Sequence, residues 1–404
     1  MAQKLETLFV GDINSPNLVT IQNWCCHPLD KMRFLDSYEE IANHRNKIVI
    51  VDAREANYKI DVTKKIAENG NYFVLMEIGE VYSFDTEGLI NDLPVMSQFP
   101  IIFGGISDRY YLEDGTEVVE SNRKKDFNLD SFYFLTHTDT NILKSTELTT
   151  SQYLEKKSKP YKFLFLNGRH RPHRKALWKA LDQKNLLRES LKSYLGFANK
   201  KDVFYDNDIP MTVLPEKYES LYAGIDSIPA YKNDDRNWKV FKHDFWRRQW
   251  VDSHIIPDQY IDTYFTVVTE TWCDRVFLTE KTFKPLMAGH PFLVLAAPGF
   301  YEYLHELGFK TFDCIIDESF AYERNLDKKI SMLADEIERL CNTDLDDFVE
   351  KTRSICQHNQ NHYINGRQKF FLEKHQKLQE FFSAVAEDAC HYFQKQIGDN
   401  HGSV

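Results

Sequence analysis

The stretch Tyr264–Phe309, YFTVVTETWCDRVFLTEKTFKPLMAGHPFLVLAAPGFYEYLHELGF, decides the fold of this chain, because it reads as strand, polar loop, helix, strand and helix in succession. Tyr264 to Val268 combines aromatic and β-branched residues, the composition of a buried strand. Phe283, Leu286 and Met287 recur at helical spacing, and Gly289 closes that helix. Thr279-Glu280-Lys281 therefore opens a helix at the carboxyl edge of a sheet. Helix amino termini present unpaired N–H groups and partial positive charge, so Lys281 there adds to an anion site. Glu280 is favoured by the dipole at that end and can also accept from sugar hydroxyls.

A second such edge is encoded by Tyr161–Leu181, YKFLFLNGRHRPHRKALWKAL. Lys162 to Leu166 reads as an apolar strand, Asn167-Gly168 as a sharp turn, and Lys175 to Leu181 as a helix with Ala176, Leu177, Ala180 and Leu181 on its apolar side. Between strand and helix stand Arg169, Arg171 and Arg174 with His170 and His173. Guanidinium groups offer paired donors and keep their charge at any working pH, so a strand-to-helix loop carrying three of them suits a diphosphate. The bland alternative is a solvated basic turn.

Together these motifs resemble the fucosyltransferase type of glycosyltransferase, whose signature is an aromatic strand, a Glu in a short polar loop, and V-T-E-K opening a helix. The matching residues are Phe265 to Glu270, a seven-residue loop, and Leu278-Thr279-Glu280-Lys281. Thr271-Trp272 stands where the family has Asn-Ser. The resemblance implies that Glu280 and Lys281, opened by Thr279, contact the ribose and diphosphate of a GDP- or UDP-linked sugar, and that Glu270 faces the sugar. It implies a diphosphate-neutralising Arg on the first loop of the second domain, for which Arg169 with Asn167 beside it is the nearest match and Arg174 the reserve. Phage-encoded glycosyltransferases are similar over a further stretch, the GFKTFD and DES of Gly308 to Ser319. The implied fold is GT-B, an α/β arrangement of two Rossmann-like domains facing a cleft, with a C-terminal helix packing back on the first domain.

Patterning along the chain fits two runs of strand-helix units. Strands are expected at Thr7–Val10, Lys47–Val51, Tyr72–Met76, Pro100–Phe103 and Ser131–Leu135, with helices near Pro28–Asn46 and Asn57–Asn69. Thr149 to Pro160 is polar and reads as a linker. The expected division is an acceptor-side domain over 1–155, a nucleotide-sugar domain over 156–365, a crossing helix over 366–397 and a disordered tail over 398–404.

A chain of 404 residues, 42% apolar and 14% aromatic, can bury more than one core. No segment approaches the roughly 18 apolar residues of a membrane span, and Met1 to Glu6 has no secretory apolar region, so a cytoplasmic protein is expected. Seven cysteines without a C-x-x-C pair argue for reduced thiols. The net charge of −11 weakens a main role in gripping a nucleic-acid backbone. Trp246-Arg247-Arg248-Gln249-Trp250 is nonetheless a local basic, aromatic cluster, read first as two core-facing tryptophans flanking exposed arginines.

Glycosyl transfer with inversion needs a cationic clamp on the leaving diphosphate and a carboxylate that takes the acceptor's proton. Lys281 and Arg169 supply the clamp, so neither a metal nor another cofactor is called for; Asp206-Asn207-Asp208 reads as a solvated stretch. The catalytic base ranks Asp12 first, in Gly11-Asp12-Ile13-Asn14, ahead of Asp52, Glu77 and Asp108. His137 and the His358/His362 pair read as structural. The expected acceptor is a glycan hydroxyl. The alternatives are a hydroxymethylated base in DNA, flipped into the site, or a non-catalytic module that binds nucleotide or glycan.

Overall fold

The computed structural model describes residues 7–10, 32–35, 37–78, 88–104, 109–111, 117–119, 127–128, 150–197, 208–210, 212–215, 218 and 257–401. The chain divides into two compact units, one taking 1–107, 121–133 and 368–404, the other 108–120 and 134–367. Both are α/β units built on parallel sheets.

In the first unit, β1 (Thr7–Val10), β2 (Met32–Leu35), β3 (Ile48–Asp52), β4 (Tyr72–Ile78), β5 (Ile101–Gly104) and β8 (Phe127–Asn128) form one parallel sheet in the order β2-β1-β3-β4-β5-β8. Ile48, Val49, Ile50 and Val51 are all fully buried, as a central parallel strand covered on both faces requires. The crossover from β3 to β4 consists of helices Ala53–Tyr58 and Ile60–Glu68, and Thr63 joins them by donating to Ala56 O at 2.7 Å. Asn71 completes the return, its Oδ1 accepting from Lys47 N and its Nδ2 donating to Ile66 O.

The helix expected over Pro28–Asn46 is replaced, in its described part, by strand β2 and the short helix Tyr38–Ile41. Pairing of Met32–Leu35 with β1 supplies backbone bonds that local sequence does not reveal. Asp12, Asp108, His137 and Ser131–Leu135 lie outside the described residues. Asp52 ends β3 and Glu77 lies in β4.

In the second unit, β9 (Tyr161–Arg169), β10 (Ser190–Phe197), β11 (Thr263–Thr269) and β12 (Phe292–Leu295) form a parallel sheet in the order β10-β9-β11-β12. A small antiparallel pair, β6 (Arg109–Tyr111) with β7 (Glu117–Val119), belongs to the same unit. Phe163 on β9 stacks on Phe265 on β11 at 5.6 Å between ring centres, and all seven residues of β11 are buried. Asn167-Gly168 continues β9 instead of turning; the chain leaves the sheet after Arg169 and enters helix Pro172–Gln183 with Pro172 at its first position.

The stretch read as a linker is ordered. Residues 150–155 are helical, Tyr153 is fully buried, and Thr150 donates to Ala288 O at 2.7 Å while accepting from Gln360. Thr150 and Lys159 are buried and spent on internal bonds, while Ser151, Gln152, Glu155, Lys157 and Ser158 stay exposed, a division that composition alone does not reveal. The final helix is continuous from Leu345 to His401, so it begins well before the expected 366 and runs past the expected end at 397. Its first part joins the second unit, where Tyr363 meets Phe283 at 5.7 Å. Its later residues Leu378, Phe382, Val385, Ala389 and Phe393 belong to the core of the first unit, each large apolar side chain contributing roughly 1.5–3 kcal/mol. Tyr72 OH donates to Asp388 there at 2.6 Å.

Candidate functional site

Strand order places a topological switch point in the second sheet. From β9 the chain moves to β10 on one side and then to β11 on the other, so the connections leaving β9 and β11 diverge at their carboxyl ends. Open parallel sheets bind ligands in the crevice outside the strand ends at such a point. Asn167 and Arg169 stand at the end of β9, Thr269 ends β11 with Glu270 directly after it, and the Thr279-Glu280-Lys281 helix start returns to the same edge.

Helix Glu280–Met287 starts at Thr279, whose extended backbone and side chain make the cap: Oγ1 accepts from Lys281 N at 3.3 Å. Glu270 is fully buried beneath this turn. Its Oε2 accepts from Thr279 Oγ1 at 2.6 Å, and its Oε1 accepts from Thr282 Oγ1 at 2.6 Å and from Thr279 N at 3.2 Å. Burial pushes the Glu270 carboxyl above the usual carboxylate range, against the opposing pull of Lys281. Glu270 thus spends both oxygens holding the helix start, which is a positioning geometry.

Lys281 Nζ lies 2.6 Å from Glu280 Oε1, 3.3 Å from Thr279 Oγ1 and 3.4 Å from Thr271 Oγ1. Burial raises the Glu280 carboxyl, but Lys281 and Lys284 outweigh it and hold the group low, so the pair is ionised. Lys281 retains partial exposure.

The three arginines of the β9 loop separate. Arg174 is 3% exposed and its Nη2 reaches Thr269 O at 3.2 Å and Glu270 O at 3.3 Å, stitching helix Pro172–Gln183 to the end of β11. The reserve diphosphate ligand is thereby a strand-end brace. His173 is also buried, its Nε2 2.9 Å from Glu270 O; burial, reinforced by Arg174, pulls its pKa down to about 4, so it is neutral and donates that bond. Arg169 closes β9 opposite Phe197, and its side chain lies outside the described residues. Arg171, partly exposed, lies with its guanidinium 5.6 Å from the ring centre of Trp272. Arg275, on the loop that carries Trp272, approaches the same ring at 5.2 Å and pairs with Asp274 at 3.2 Å. The part played by Trp272 and Arg275 was signalled in sequence only by their place in the loop after Glu270.

Asn167 is 1% exposed; its Oδ1 accepts from Thr269 Oγ1 at 2.7 Å, while its Nδ2 has no hydrogen-bond partner. On the far side of β11, Lys329 is buried and donates to Ala296 O at 2.8 Å, just past the end of β12, and burial draws its pKa down to about 8. The carboxyl edge of this sheet thus carries Arg171, Arg174, Arg275, Lys281 and Lys329 beside the carboxyl groups of Glu270, Asp274 and Glu280.

Other sequence candidates fall elsewhere. Asp208 is an exposed carboxylate held low by its bonds to Lys175 and Lys179. His358 and His362 stack on one another at 5.8 Å and bond Gly308 O and Leu307 O, tying the long helix to the Gly308 turn. Asp206, Trp246 and Trp250 lie outside the described residues. No helix among the described residues is long and apolar enough to cross a membrane. Comparison with protein-family models, curated proteins and solved structures finds no match to this chain.

Proposed function

We propose that this chain is a GT-B glycosyltransferase that moves a sugar from a nucleotide diphosphate sugar, GDP- or UDP-linked, to a hydroxyl acceptor. The observation that carries the reading is the position of Lys281, on a capped helix amino terminus at the β9/β11 switch point. In this reading a diphosphate leaving there would meet an ammonium, helix N–H dipoles and Arg169 of the β9 loop, which together stabilise developing negative charge, while Arg174 braces the end of β11. In this reading Glu280 takes the ribose, Glu270 sets the geometry of the helix start, and Asp12 is the base on the first unit. The global charge of −11 favours a neutral glycan over DNA as acceptor.

The test is binding and turnover together. A thermal-shift screen should single out nucleoside diphosphates and their sugars as ligands that raise the melting temperature. Lys281→Ala should weaken GDP or UDP binding by about thirty- to more than a hundredfold, the effect of losing a charge-assisted contact of roughly 2–3 kcal/mol. Wild-type affinity in that variant would move the site elsewhere. Binding without any donor hydrolysis or transfer would favour the non-catalytic module.

A further inference from the structure

We propose that the carboxyl of Glu318 is a pH-sensitive latch on the loop that runs from Thr311 to Glu318: uncharged, it keeps the loop closed on helix Phe300–Glu306, and ionised, it lets the loop open. The latch involves none of the residues assigned to the nucleotide sugar.

Residues 309–318 contain neither helix nor strand, so their backbone groups depend on side chains for partners. Asn359 on the long helix brackets Lys310, accepting from its N and donating to its O, both at 2.8 Å. Arg339 donates to Ile315 O and Glu336 accepts from Asp317 N, these two side chains being paired with each other. Glu318 closes the loop on itself, its Oε1 accepting from Phe312 N at 2.7 Å. The Thr311 hydroxyl bonds the same carboxyl and also lies 3.0 Å from Nε2 of His305, an exposed residue on helix Phe300–Glu306. Glu318, Thr311 and Phe312 are all buried, and the Phe312 ring meets Phe292 of β12 edge-on at 5.2 Å.

One hydroxyl thus stands between a carboxyl and an imidazole. A neutral Glu318 donates to Thr311 Oγ1, and the hydroxyl proton of Thr311 then turns to His305; an ionised Glu318 takes that proton for its own bond and leaves a charge held away from water. Among the described residues no basic side chain pairs with Glu318. Asp313 faces it from its own loop, Tyr301 from helix Phe300–Glu306 and Tyr322 from helix Ser319–Tyr322. On helix Leu326–Cys341, Lys329 is spent on Ala296 O and Ala321 O, and Arg339 on Glu336. His358 and His362 of the long helix bond Gly308 O and Leu307 O, just before the loop. Burial raises the Glu318 carboxyl to about 7, with Asp313 adding to the rise and the bonds from Thr311 and Phe312 N opposing it. In the opened loop water reaches the carboxyl, which returns to its ordinary value of 4.5. The hold is therefore full below about pH 4.5 and is lost as pH rises to about 7.

The test is hydrogen–deuterium exchange of the full chain between pH 5 and 8, read on peptides covering 309–318, with each rate divided by the intrinsic rate at that pH. Wild-type protection around Phe312 should fall by roughly fiftyfold over that range, most of it below about pH 7, before levelling off. Glu318→Gln keeps an acceptor for Phe312 N and a donor for Thr311 Oγ1 but cannot ionise, so its protection should change by less than about threefold. His305, His358 and His362 remain in that variant, which separates their titration from that of Glu318. Thr311→Val keeps the shape and removes the hydroxyl that favours the ionised carboxyl, so the fall should continue to higher pH, whereas Thr311→Ser should follow wild type. A pH dependence in Glu318→Gln as steep as that of wild type would overturn the latch, as would wild-type protection that stays constant from pH 5 to 8. Should Glu318→Gln fail to fold, the threonine pair decides: coincident profiles for Thr311→Val and Thr311→Ser would remove the carboxyl from control of the loop.

Discussion

The Glu270 carboxylate and the Thr279 hydroxyl lie 2.6 Å apart, fully buried, where the loop after β11 returns to start helix Glu280–Met287. This bond, with those from Thr279 N and Thr282 Oγ1, makes one carboxylate the acceptor for three donors that burial has removed from water. Glu270→Ala leaves those donors unmatched and should cost about 2–4 kcal/mol of stability, read as a lower urea midpoint at unchanged slope. Glu270→Gln keeps one acceptor oxygen and should cost about half as much. Loss of turnover in Glu270→Gln with no loss of stability would instead return Glu270 to the sugar.

Chemistry and scaffold separate further at Lys281 and Asp12. Under the proposed function cations would hold the leaving diphosphate and transfer should persist in EDTA; abolition by chelation and restoration by manganese would overturn the clamp. Asp12→Asn should leave donor affinity nearly intact while lowering turnover by roughly two to four orders of magnitude, the usual reach of an acid–base group. Equal loss of affinity and turnover would make Asp12 a folding residue.

Much of the second unit was legible because its strands are buried on both faces. Phe292–Leu295 is an unbroken apolar run, Phe265–Val268 is interrupted only by Thr266, and Thr279 is a capping residue placed directly before a helical period. What escaped the sequence depends on distant partners. Met32–Leu35 becomes a strand by pairing with β1, and Thr150 is internal because Ala288 and Gln360 receive it. Gly168 reads as a turn residue, yet it sits in β9, with nothing within 4 Å of where a side chain would begin. The basic cluster Arg169–Arg174 showed its charge but not its division of labour. Which guanidinium braces the end of β11 and which meets Trp272 is set by the helix that starts at Pro172.

Gly289 gives a direct test of the ordered 150–155 segment. Its φ is +55°, and a Cβ there would lie 2.6 Å from Thr150 Cγ2 and 3.3 Å from Cys356 O. Gly289→Ala therefore combines left-handed strain with a clash and should cost about 2–4 kcal/mol in thermal or urea denaturation. Thr150→Ser removes the nearest methyl group and keeps the hydroxyl that bonds Ala288 O. The double variant should recover part of the loss, a coupling on the order of 0.5–1 kcal/mol in a double-mutant cycle. Simple additivity would mean that the helical turn does not press on Gly289.

Acid sensitivity follows from His173, which is neutral and donates to Glu270 O at 2.9 Å from inside the site scaffold. Burial lowers its folded pKa to about 4, while the unfolded chain has the ordinary value near 6.5. The unfolded chain therefore binds the proton first as pH falls. The stability linked to His173 is fully present above about pH 6.5 and is lost as pH falls to about 4, by on the order of 2–3 kcal/mol. His290, buried and lowered to about 3, adds a loss of the same sign over a wider range. His173→Gln retains an N–H donor for Glu270 O and removes the titration. Urea midpoints measured from pH 7 to 4 should then decline less steeply in the variant than in wild type, with His290 accounting for the slope that persists. Parallel declines would show that folding does not lower the His173 pKa.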